Sequence, residues 1–390
     1  MNKISTMLGA LCLSVSAFGF TTGASAKTFV YVSNAEDGDI DGFVMNKANG
    51  VLTSLGKTKA GKLVMPMAVS PNKQFLYAAV RSQPFTVVTY AIDPASGVLT
   101  QKATAPLPDS MAYLSTDKTG RFLFSASYGG NKIAVNPINA SGLVESEAIQ
   151  VIPTGENAHC IRPDRSNKFV YATNLGSSQI LQFRFDAKTG ALTPNEPPLI
   201  KSRPDNGPRH IVFSPDGKYL YVIHELSGNI AQFSIDKAKG TLTEIGYTGS
   251  VPPDSGLLPG LAREAMPATA TSGANTKPAD GDEKPRIWAA DLQITPNGKF
   301  LYASERTGSK IALLSIAPAT GKPTYVTNYP TETQPRGIRI DPTGKYLVAS
   351  GEKSDRVSVY KINQADGRLT PVGRYPVGKD ANWVEIVDLP

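Results

Sequence analysis

A short signature returns seven times along the chain, and it limits the possible folds more than any other feature. It is a glycine, one further residue, then Leu-Thr. Full copies are Gly50-Val51-Leu52-Thr53, Gly97-Val98-Leu99-Thr100, Gly190-Ala191-Leu192-Thr193, Gly240-Thr241-Leu242-Thr243 and Gly367-Arg368-Leu369-Thr370; weaker ones begin at Gly142 and Gly321. Successive glycines are 47, 45, 48, 50, 81 and 46 residues apart, so only one step is abnormal. A second signature precedes each first one: a turn such as Ser214-Pro215-Asp216-Gly217, then a β-rich run ending in Leu220-Tyr221. Degenerate copies end at Phe124 and Tyr171, and Phe29-Val30-Tyr31 supplies the run with no turn before it.

Each unit therefore reads strand, turn, strand, short loop, strand, glycine turn, strand. Ile230 to Ile235 alternates apolar and polar residues with period two, the mark of a half-buried strand. No long stretch has a helical period. Four strands per 45 to 50 residues, seven times, predict an all-β, seven-bladed β-propeller of four-stranded antiparallel blades. The first strand lacks a turn partner, and Pro371 to Val387 has no Gly-Leu-Thr after it. The two ends are expected to share a blade, closing the ring so that no sheet edge stays open. A chain of 390 residues could hold two or three average domains, but a closed β array absorbs that length as one, over 27–390.

Residues 1–26 are expected to stand apart from the fold. Lys3, an apolar run from Met7 to Phe20, and Ala24-Ser25-Ala26 read as a secretory signal peptide, with a mature chain from Lys27 that is periplasmic or secreted. No later apolar run is long enough to span a bilayer, so no membrane contact is expected after cleavage. Cys12 leaves with the leader and Cys160 stands alone, so packing rather than a disulfide must stabilise the protein. Loss of Lys3 takes the formal net charge from +7 to +6. The basic residues are scattered, without the runs that mark nucleic-acid binders, and suit solubility or attraction of an anionic small ligand. The 81-residue step contains an insertion, about 251–285, rich in Pro, Ala, Gly and Thr. It joins the outer strand of one blade to the inner strand of the next, and reads either as a surface excursion or as a lid.

Aligning the repeats exposes columns of unusual residues. Six places before the turn proline stand Met65, Ala112, His159, Arg209, Ala290 and Arg336. The next column is Pro66, Tyr113, Cys160, His210, Asp291 and Gly337. Four places after the Leu-Tyr tyrosine stand Ala35, Arg81, Tyr128, Leu175, Glu225, Arg306 and Glu352. Structural columns repeat one residue type; these collect four arginines, two glutamates, an aspartate and two of the three histidines. Propeller geometry aims them at the mouth of the central channel, where ligands bind. The plainer alternative is a rim of solvated charges and salt bridges between blades. Trp383 lies at about the same level in the closing segment, and either packs in the core or walls a ring-shaped ligand. Tyr128 is similarly placed between the two roles. His224, at a strand end, is expected to pack between blades.

Other chemistries find little support. There is no Gly-x-Ser-x-Gly elbow and no zinc-ligand spacing. A divalent cation on Asp291, Glu225 and Glu352 is opposed by the surrounding arginines, so neither a metal nor another cofactor is expected.

Specific stretches now point to a family. Gly207-Pro208-Arg209-His210, Trp288-Ala289-Ala290-Asp291, Arg306-Thr307 and Thr331-Glu332-Thr333-Gln334-Pro335-Arg336-Gly337 make the chain similar to the seven-bladed propeller lactonases, which include bacterial 6-phosphogluconolactonase and share their fold with fungal carboxymuconate-lactonising enzymes. The resemblance covers nearly all of the chain after the leader. It implies ring-opening of a sugar lactone without a metal, with His159, Arg209, Glu225 and Arg306 as the catalytic set. Departures are Tyr113 at a histidine-like position, Met65 at a glutamine-like one, the closing segment Gly378 to Trp383, and the insertion.

On this reading His159 moves the water proton, and Arg209 with Arg306 or Arg336 receives the oxyanion. Glu225 orients His159 or an arginine, and Arg81 and Arg336 hold a phosphate or carboxylate. Tyr128, His210, Asp291, Glu352 and Trp383 complete the expected substrate-binding set. The partner is an anionic or sugar lactone, and a closed ring is expected to act as a monomer. An exported enzyme would meet unphosphorylated gluconolactone rather than a cytosolic phosphate ester. The rivals are muconate-type cycloisomerisation in the same site and a non-catalytic binding propeller.

Overall fold

The structure, a computed structural model, describes residues 26–265 and 284–389. Residues 1–25 of the expected leader and 266–283 of the insertion lie outside them. Seven four-stranded antiparallel sheets make up the fold, and the one helical element among the described residues is a single 3₁₀ turn, Pro253–Ser255.

Each blade takes its innermost strand from the start of a repeat: β4 (Val64–Val69), β8 (Met111–Thr116), β12 (Ala158–Pro163), β16 (Pro208–Phe213), β20 (Ala289–Ile294) and β24 (Pro335–Ile340). The seventh inner strand is β28 (Ala381–Leu389), paired antiparallel with β1 (Lys27–Asn34) from Lys27↔Leu389 to Val32↔Val384. Neighbouring inner strands touch in sequence, and β28 touches β4. The chain ends thus close the ring by giving the first strand an inner partner, so that each blade keeps only short edges.

The two repeated signatures prove to be two halves of one joint between blades. The hydroxyl of Tyr171 donates to the carbonyl of Gly240 in the following blade, at 2.9 Å. Tyr31 does the same to Gly97 at 2.7 Å, and Tyr77, Tyr221 and Tyr302 repeat it at Gly142, Gly321 and Gly367. Glycine is needed there for two reasons. Gly240 has φ +71°, in the left-handed region. A Cβ on it would also lie 2.0 Å from Cδ1 of Phe169, which packs flat against the turn. Phe124 ends its run without a hydroxyl, so that joint lacks the hydrogen bond while Gly190 still packs on Phe122. The turn residues serve locally: Asp164 accepts from the backbone N–H groups of Lys168 and Phe169, both at 3.0 Å, fixing the hairpin between the first two strands.

Candidate active site

The inner strands all carry the same irregularity near their axial ends. In β12, Ala158 pairs with Asn174 and Cys160 with Thr173, so His159 is one extra residue. β16 gains its extra residue between Pro208 and Ile211, and β24 between Pro335 and Ile338. A bulge re-aims a side chain that regular alternation would send between the sheets. Here it turns His159, Arg209 and Arg336 into one cleft on the axis. The cleft is lined by Arg81, Ala112, Tyr128, His159, Arg209, Glu225, Arg263, Glu264, Trp288, Arg306 and Arg336, and encloses about 50 Å³.

Glu225 is the hub. Its Oε2 accepts from Arg209 Nε at 2.7 Å and from Arg306 at 2.8 Å, and its Oε1 accepts from Trp288 Nε1 at 3.1 Å. Arg209 also donates to the carbonyl of Ala290, and Arg306 Nε to that of Trp288 at 3.1 Å. Burial pushes the Glu225 carboxyl up, but Arg306 and Arg209 more than offset it, and the group sits below the usual range. Two guanidiniums are therefore held rigidly, with charges intact, beside the cleft. Glu225 was expected beside His159 or an arginine, and its hydrogen bonds run to the arginines.

His159 faces the same space. Its ring lies edge-on to Tyr128 and to His210, with centroids 5.8 and 5.2 Å away. Burial, then Arg209 and His210, hold its pKa well below the ordinary histidine value, so the imidazole is neutral at pH 7. Among the described residues its buried Nδ1 has no hydrogen-bond partner. Arg336 pairs with Glu352 Oε1 at 2.8 Å. Arg81 donates to Ser110 Oγ at 3.0 Å and contacts Met65 Sδ at 3.3 Å; among the described residues no carboxylate pairs with it. Burial, then Arg336, push its pKa down to about 9. Asp109 and Asp380 act on it in the opposite sense without offsetting the burial.

Four residues expected to bind substrate lie elsewhere. His210 is a layer below the cleft: its Nε2 accepts from Arg209 at 3.1 Å, which leaves Nδ1 to donate to Asp291 at 2.8 Å. Asp291 is consumed by that bond and by the backbone N–H groups of Leu292 and Ile338. Glu352 lies outside the lining and bonds to the site through Arg336. Trp383 misses the cleft by one position, because the β28 bulge makes Asn382 the extra residue, between Ala381 and Trp383. Its ring packs edge-on against Tyr113 and His210, at 5.3 and 5.7 Å, and borders a separate cavity at the other end of the channel. These rings form a septum, which is why a tyrosine serves at position 113. His224 packs between blades as expected, its Nε2 2.6 Å from Ser202 Oγ.

Trp288, Arg263 and Glu264 line the cleft without having been singled out. Trp288 stood in the family stretch, two places before the aligned column, which was the signal available. The other two belong to the insertion and have no repeat to align with.

Three comparisons complete the picture. The family described as "Lactonase, 7-bladed beta-propeller" matches residues 29–386. A 6-phosphogluconolactonase of Erwinia tasmaniensis is 38% identical over 80% of this chain and 84% of its own, and that of Pectobacterium carotovorum 37% over 79% and 83%. Among solved structures, a periplasmic gluconolactonase of Pseudomonas aeruginosa superposes with a TM-score of 0.79 at 20% identity, covering 94% of this chain and all of that one, a likeness of fold.

Proposed function

The chain belongs to the family of seven-bladed β-propeller lactonases, carboxylic ester hydrolases, and we propose that it opens an anionic sugar lactone of the 6-phosphogluconolactone type by water attack in the axial cleft. The observation that carries this reading is the pair of guanidiniums of Arg209 and Arg306, fixed on the single carboxylate of Glu225 beside a neutral His159.

The chemistry follows from that pairing. A lactone is an ester, and water adding to its carbonyl carbon makes a tetrahedral oxyanion. Arg209 and Arg306 offer charge-assisted donors to that oxygen without having to reorganise, usually the largest catalytic contribution. Neutral His159 takes the proton from water as the O–C bond forms. It returns the proton to the ring oxygen as the C–O bond breaks, releasing a hydroxy acid whose carboxyl then ionises. A depressed pKa makes His159 a weak base before substrate binds. A bound anion would cancel part of the arginine field and raise it, so binding and base strength are coupled.

The arginine excess also speaks to substrate. Five arginines and two glutamates line the cleft, and Arg81 and Arg336 are the pair we assign to a phosphate. A second reading is favoured by the leader expected at 1–26: an exported, monomeric enzyme acting on unphosphorylated gluconolactone. Base consumption in a pH-stat, compared for glucono-δ-lactone and its 6-phosphate, tests both. We expect kcat/KM to be at least tenfold higher for the phosphate. A preference for the neutral lactone would favour the second reading. Inertness towards both would refute the proposal, and consumption of a muconate would transfer the site to cycloisomerisation.

A further inference from the structure

The insertion contributes to the site where no repeat predicts it. Gly260 donates its N–H to the carbonyl of Leu226, Leu258 donates to the carbonyl of Pro285, and Ile287 donates to the carbonyl of Leu258. The close pass requires glycine, since a Cβ at 260 would lie 2.4 Å from the carbonyl oxygen of Ile287. From there residues 258–265 cross the mouth of the channel. Tyr128, on the far side, donates its hydroxyl to the carbonyl of Arg263 at 2.8 Å. The Arg263 guanidinium lies 3.4 Å from the centre of the Trp288 ring, and that of Arg306 lies 3.7 Å from the same centre. At stacking distance there is no lateral offset for two cations to share a face, so they take opposite faces of one indole. The same indole donates to Glu225.

We propose that Arg263 is a specificity-determining residue: a fifth cation, brought over the cleft by the strap 258–265 and parked on Trp288, that engages the anionic group of the substrate. The inference rests on the reading of the cleft as a lactone site and says which substrates it favours. The cleft encloses about 50 Å³ and Arg263 is one of its lining residues, so its guanidinium lies where an entering ligand must pass. An entering anion meets the Arg263 guanidinium at the wall of the cleft, with the Trp288 face behind it. A neutral lactone offers that cation no opposite charge. Arg263 therefore weights the site towards charged substrates without belonging to the oxyanion pair.

The test is Arg263→Ala in the full chain, assayed on glucono-δ-lactone and its 6-phosphate, with Arg263→Lys as the charge-retaining control. We expect KM for the phosphate to rise at least tenfold with kcat held within threefold, KM for the neutral lactone to move less than twofold, and Lys to restore part of the discrimination. An unchanged ratio of the two KM values would overturn the inference. Titration calorimetry with 6-phosphogluconate separates this from failure of the proposed function. If the wild type hydrolyses neither lactone, the functional reading falls, and Arg263 is still judged by binding. Tenfold weaker binding by Arg263→Ala supports the proposal, and equal binding ends it.

Discussion

Replacing Glu225 by Gln tests the hub of the site with the smallest change of shape. The wild-type carboxylate receives three donors, from Arg209, Arg306 and Trp288, at 2.7, 2.8 and 3.1 Å. The two arginine side chains are 1% and 2% exposed, so water cannot replace the lost charge. Removing one member of a buried ionic cluster costs about 3–5 kcal/mol. The amide adds to this, because its NH₂ must face at least one N–H donor. For a chain this long, at roughly 2 °C per kcal/mol, the melting temperature should fall by about 6–10 °C. Catalysis should suffer more than stability. Without the shared carboxylate the two guanidiniums repel each other and leave the oxyanion position, at a cost of about 10²–10³ in kcat. Scanning calorimetry and pH-stat turnover on the purified variant read both quantities. Glu225→Asp keeps the charge but shortens the reach, and should lie between the two proteins in each. A Glu225→Gln enzyme that melts within 2 °C of wild type and turns over within twofold would refute the reasoning, leaving Glu225 a bystander.

Two further predictions concern the frame. Burial pushes His210 and His224 down to about 4, against ~6.5 in an unfolded chain. Both fold as neutral rings, so their contribution is complete above pH 6.5 and is lost as pH falls towards 4. At pH 5 each should cost roughly 2 kcal/mol, and urea unfolding should show stability falling from pH 7.5 to 5; a flat profile would contradict the burial argument. Gly240→Ala should destabilise the fold by about 2–4 kcal/mol, from the left-handed turn and the collision with Phe169, and thermal melts within 0.5 kcal/mol of wild type would mean that the joint between blades yields.

How much could be read beforehand depended on repetition. A ring of near-identical units turns position in the repeat into position in space, so a misfit residue in one blade can be placed beside a misfit in another. That is how His159, Arg209, Glu225 and Arg306, spread over 148 residues of chain, could be expected at one point. The method failed where the repeat is locally broken. The closing segment has no turn proline to count from, so the column could not tell Asn382, the extra residue of the β28 bulge, from Trp383 beside it. His210 and Asp291 fell on the neighbouring column, and the bulges of β16 and β20 turn them beneath the cleft. The strap bearing Arg263 has no counterpart in other blades, so no alignment within the chain could locate it.

The central claim is that a neutral histidine beside two clamped arginines opens the lactone ring. His159→Gln keeps a polar side chain of similar size and removes the proton acceptor, and its kcat on the 6-phosphate lactone, with circular dichroism and melting as folding controls, tests the claim most directly. The account predicts a fall of about 10²–10⁴ in a folded protein. A folded His159→Gln variant that hydrolyses the lactone within twofold of wild type would contradict it.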